Sequence, residues 1–208
     1  MANLQLYESY KREIETGRRK EAAQAIALFI QSFSGLEEKK QWSEAFLNGL
    51  ENSQKIRHEL YEHIVFPVLL ESYKRSEPWG IHWLAKTAQN LYQATALWEQ
   101  VDHKSEYQLL EQLLSITPHD AGVRAELLAR QIEWLRYCGH EWPSGILYGH
   151  DGATLQECAE IEEAVAKAKD LDLSGTYSAF LADFEGKLGE YISRLEAHES
   201  NRTAGRSA

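Results

Sequence analysis

The sequence predicts an all-α protein, and three observations carry that reading. Apolar residues recur at three- and four-residue spacing along most of the 208 residues, the period that places side chains on one helix face. No stretch shows the period-two alternation of a half-buried strand, and no Asn-Gly or Asp-Gly pair lies between β-branched runs to turn a hairpin. The expected architecture is an irregular multi-helix bundle, or a short α-solenoid of antiparallel helix pairs, with about nine helices.

In chain order the helices are expected near 3–15, 18–33, 36–50, 53–75, 79–101, 104–116, 120–138, 153–170 and 175–197. Gly17 and Gly35 can end helices by taking a left-handed conformation. Pro67 falls inside the fourth helix and should kink or split it, because it lacks an N–H and crowds the preceding turn. Pro78 suits a first helical turn, and Ser105, Asp120 and Thr154 are N-cap residue types. Ile81, Leu84, Ala85, Ala88, Leu91, Tyr92, Thr95 and Trp98 trace one apolar face. Val123, Leu127, Leu128, Ile132 and Leu135 trace a second, and Tyr177, Phe180, Leu181, Phe184, Leu188, Tyr191, Ile192 and Leu195 a third. Residues 1–197 are read as a single helical domain, with a candidate subdivision near 76–78. The tail 198–208 has no apolar anchor and is expected to be disordered.

Composition narrows the function classes. Hydrophobic residues make up 43% and charged residues 26%, and six Trp with ten Tyr argue for ordered packing rather than disorder. The net charge of −10 is unevenly placed. Residues 1–40 carry seven Lys/Arg against six acids, whereas residues 141–190 carry three Lys against eleven acids, a balance of −8. That second region repels phosphate backbones and attracts basic proteins, so direct nucleic-acid binding is not expected. No apolar run reaches the ~18–20 residues of a membrane span. The longest, Ile64 to Leu70, is interrupted by Pro67. With only Cys138 and Cys158, and no apolar leader at the N-terminus, a cytoplasmic protein with free thiols is expected.

The segment from Trp83 to Leu135, with LLEQLLSITPHDAGVRAELLARQIEWL at its centre, resembles part of a tetratricopeptide-type helical-repeat array. A helix runs to Pro118, Asp120 follows, and the next helix begins at once, like the junction between two such repeats. The resemblance implies a scaffold that binds peptides or proteins. It does not extend to 139–152, where a repeat would make a short turn.

That stretch, GHEWPSGILYGHDG, is the one long irregular connection expected inside the chain, and long loops in compact domains often carry function. It gathers His140, Glu141, Trp142, Tyr148, His150 and Asp151, residue types that suit partner binding, acid–base work or a divalent metal. Its spacing fits no metal motif, and a second His four residues beyond His140 is absent, so no cofactor is expected. Trp79 and Trp83, in the cluster PWGIHW, are candidate partner anchors because Trp is enriched in binding hot spots. His58 and Glu62, and Glu59 and His63, are expected to pair at i,i+4 on a solvated face. Cys138 beside His140 invites a nucleophilic reading, against which Cys138 continues an apolar run.

These features point to a protein-interaction module, an adaptor or an inhibitor that neutralises a basic toxin or enzyme, binding through helix faces and the 139–152 loop. The alternatives are a small enzyme or metal-binding protein with its site at that loop, and a structural oligomer subunit that buries the 177–195 stripe between chains.

Overall fold

Helix formers spaced to give one apolar stripe do become helices here. The structure, a computed structural model, describes residues 2–50, 56–141 and 145–204, and 76% of the chain is helical. The chain divides into two compact units, Met1–Pro118 and His119–Ala208, so position 76–78 lies inside the first.

The first unit opens with α1 (Leu4–Glu15) and α2 (Arg19–Gln31), which pack on each other across a turn where Gly17 takes a left-handed φ of 73°. Gly35 does not repeat that role. Its backbone is extended, and it serves as the N-cap of α3 (Leu36–Asn48), while α2 has already ended at Gln31. Large rings join the three helices: Tyr7 lies 5.2 Å from Phe29 and 5.4 Å from Trp42, and Trp42 stacks on Phe46 at 4.6 Å.

The expected fourth helix is described from α4 (His58–Leu60) through a π-helical turn (Tyr61–Val65) into α5 (Phe66–Lys74), and residues 53–55 lie outside the described residues. Pro67 neither breaks nor ends it. The Phe66 N–H reaches back five residues to the Tyr61 carbonyl, and this widened turn makes room for a proline ring that an ordinary α turn would crowd. Tyr61, Ile64 and Val65 are all buried. The Tyr61 hydroxyl donates to Thr87 Oγ1 (3.1 Å), which donates in turn to the Trp83 carbonyl (2.6 Å), and burial pushes the Tyr61 phenol far above its usual range.

The expected helix 79–101 is not continuous. It forms as α6 (Pro78–Lys86), α7 (Ala88–Tyr92), α8 (Thr95–Trp98) and a 3-10 turn, Glu99–Val101. The first interruption falls at Thr87, whose hydroxyl is committed to the Trp83 carbonyl four residues back, a bond that competes with regular helix geometry. The second falls at Gln93 and Ala94, between α7 and α8, and the segment ends at Val101 as expected, where Asp102 and His103 both take left-handed φ values of 57° and 53°. That corner is held by Tyr73 donating to the Asp102 carboxylate (3.1 Å) and Trp98 Nε1 donating to the Lys104 carbonyl (2.8 Å). Beyond it, Ser105 and Gln108 close a capping box on α9 (Glu106–Ile116). Helix α6 packs against both α5 and α9. At its contact with α5, a Cβ on Gly80 would stand 2.3 Å from Ser72 Cβ, so only glycine permits this approach.

The second unit begins with α10 (Ala121–Cys138), capped by Asp120, whose carboxylate accepts from the Gly122 and Val123 N–H groups. Helix α11 (Leu155–Leu171) packs against α10 and against α12 (Ser178–Ala204). The core is made by Leu127, Ile132, Leu135, Leu181, Phe184 and Leu188, all periodic positions of the sequence, together with Ile161 and Val165 of α11. Between α11 and α12, the largely buried Asp172 carboxylate accepts from the Thr176 and Tyr177 N–H groups (2.9 and 2.7 Å), which fixes the turn. Helix α12 runs past residue 197, to Ala204. Among the described residues, no helix is long and apolar enough to cross a membrane.

Candidate functional site: a braced hairpin in the second unit

The connection between α10 and α11 contains structure that the sequence did not announce. After Ile146, which is fully buried, the chain forms a two-stranded antiparallel hairpin, β1 (Leu147–Tyr148) and β2 (Asp151–Gly152). Tyr148 pairs with Asp151 and Leu147 with Gly152, leaving Gly149 and His150 as a two-residue turn. Gly149 has φ 64° and His150 does not share the left-handed region, the pattern of a type II′ turn with glycine at its first central position. The legible signal was therefore Gly149 itself, in a class of turn that needs no Asn-Gly or Asp-Gly.

Side chains from three helices brace this hairpin. From α10, the Tyr137 hydroxyl donates to the Gly149 carbonyl (2.6 Å), and the Trp134 ring meets the Tyr148 ring edge-on at 6.2 Å. From α11, Glu160 accepts the Tyr148 hydroxyl, a contact that raises the Tyr148 phenol above its usual value. From α12, the Tyr191 hydroxyl donates to the Ala153 carbonyl (2.9 Å). The Tyr191 ring also fills the space that a Cβ on Gly145 would need, at 3.2 Å. At the exit, Ala153 N–H closes onto the Ile146 carbonyl (2.8 Å), and Thr154 with Glu157 forms a capping box that starts α11. Hydrogen bonds from the Thr154 N–H and hydroxyl hold the Glu157 carboxyl below its usual value.

The candidate residues of the loop divide by what they do. Tyr148 is half-buried and belongs to the bracing. His140, Glu141, His150 and Asp151 are exposed; the His140 side chain is 73% exposed and stands 3.8 Å from a Glu141 carboxylate oxygen. Trp142 lies outside the described residues. Among the described residues, no three His, Cys, Asp or Glu side chains are grouped so as to hold a metal ion. The Cys–His reading of Cys138 and His140 fails on geometry and protonation together. Cys138 is fully buried and its thiol is pushed up to about 11 by burial, while His140 points into solvent. Cys158, also fully buried, is raised for the same reason.

Trp79 and Trp83 lie on α6 in the first unit, and both are half-buried. Trp79 lines a groove with Leu36, Lys40, Val68 and Arg75, while the Trp83 ring lies 5.3 Å beneath the Lys86 ammonium. The expected pairing on α4 is half right. His58 Nε2 stands 3.3 Å from Glu62, but Glu59 pairs with Arg57 (2.9 Å), and His63 instead faces Glu62 at 3.9 Å.

The second unit is also where the acidic excess of residues 141–190 resides. Within that region Lys169 pairs with Glu185 (2.8 Å) and Lys187 with Asp183 (2.7 Å). Fold and site together define an all-α protein with a braced hairpin set beside acidic helices. Comparison with models of protein families, with curated proteins and with solved structures finds no match.

Proposed function

We propose that the protein is an interaction module whose second unit offers the 145–153 hairpin and its acidic surroundings to a basic protein partner. The reading rests on one observation. The hairpin is held from three helices, by bonds from Tyr137 and Tyr191 to its backbone and from the Tyr148 hydroxyl to Glu160, while His150 and Asp151 on it, and His140 and Glu141 ahead of it, face solvent and join no group of three His, Cys, Asp or Glu among the described residues. Groups that do acid–base chemistry together must lie within reach of one substrate atom, whereas groups that contact a protein surface need only be presented in a fixed arrangement. The −8 balance of residues 141–190 adds a preference for a positively charged partner and a faster encounter with it. An adaptor, or an inhibitor that covers a basic enzyme or toxin in the cytoplasm, fits this description. The tetratricopeptide-type resemblance of residues 83–135 belongs to the same proposal, as a protein-binding scaffold.

The test is affinity capture from the source organism with two baits: the full chain, and a His140→Ala/Glu141→Ala/His150→Ala/Asp151→Ala variant whose helical circular dichroism matches it. The expected result is a basic protein retained by the first bait and lost by the second. Its purified form should bind with an on-rate that falls steeply as salt rises. Equal capture by both baits, or an on-rate indifferent to salt, would overturn the proposal.

A further inference from the structure

We draw no further inference here: the strongest candidate, the apolar groove that Ala23, Ile26, Ala27 and Ile30 of α2 form beside Glu59 of α4 and His63 of the π-helical turn, is an open face, and nothing in the structure shows what covers it.

Discussion

Replacing Gly80 with alanine sets two physical effects against each other, and the sign of the result decides between them. Helix propensity alone favours Gly80→Ala by about 1 kcal/mol, because alanine loses less backbone freedom in a helix. The packing of α5 on α6 opposes it. The new Cβ would stand 2.3 Å from Ser72 Cβ and 3.2 Å from the Leu69 carbonyl oxygen, where carbon atoms prefer separations of roughly 3.5–4.0 Å. The two helices must therefore part by roughly 1 Å, which loosens the layer containing Leu69, Ile81 and Leu84, all fully buried. Overpacking of this kind costs about 1–3 kcal/mol, and so short a contact belongs at the upper end. Net of propensity, Gly80→Ala should destabilise by about 2 kcal/mol. With a urea slope of roughly 2 kcal/mol/M, the unfolding midpoint should fall by about 1 M with no change in slope. The double variant Ser72→Gly/Gly80→Ala should recover part of the loss, because it removes the nearer clash and leaves the one with the Leu69 carbonyl. A midpoint that stays put or rises in Gly80→Ala would refute the close approach of α5 and α6.

Four further outcomes are expected. Ser43→Ala should raise stability by about 1 kcal/mol in urea unfolding, since the fully buried Ser43 hydroxyl has no hydrogen-bond partner among the described residues and its desolvation goes uncompensated. Tyr191→Phe should cost about 1 kcal/mol and speed amide exchange across 145–153, because the bond to the Ala153 carbonyl is buried; unchanged exchange would mean that the hairpin does not depend on α12. Native protein at pH 8 should leave Cys138 and Cys158 unreacted with a disulfide reagent until denaturant is added, both thiols being buried and raised; rapid labelling would revive the nucleophile reading. Glu157 is held below its usual value, so the unfolded chain takes up the proton first. The capping box then stabilises fully above the ordinary glutamate value of 4.5, and its contribution is lost as the pH falls from there through the lower value of the folded state; Glu157→Gln should flatten that part of the stability–pH curve.

The helices of the second unit were open to reading because local chemistry and tertiary packing agree there. Asp120 and Thr154 cap the helices that follow them, as does Ser105 in the first unit, and Leu127, Ile132, Leu135, Leu181, Phe184 and Leu188 are buried as their spacing implies. Reading failed where a contact distant in sequence decided the local conformation. The apolar face 81–98 is continuous in the sequence, yet it breaks at Thr87, beside the buried hydroxyl of Tyr61. Tyr92, counted on that face, is exposed and accepts the Glu106 N–H at the start of α9. The hairpin was hidden for a related reason. Strands of two residues are too short to show alternation, and their braces, Tyr137, Glu160 and Tyr191, lie on three different helices. Of the candidate residues, the sequence could name His140, Glu141, His150 and Asp151 by type. Whether they converge or diverge depends on that bracing, which no spacing encodes.

The π-helical turn at Tyr61–Val65 constrains how this chain can change length over time. Such a turn holds one residue more than the same stretch of α-helix, and the three consecutive buried positions Ile64, Val65 and Phe66 mark the surplus. Deleting one residue from 61–65 would leave the flanking segments facing their present neighbours, but it would return Pro67 to an ordinary turn, where its ring collides with the preceding carbonyl. Replacing Pro67 alone would leave the surplus residue with nothing to accommodate. The widened turn and the proline are thus tied to each other: a one-residue deletion within 61–65 is compatible with a regular helix only if Pro67 is replaced as well.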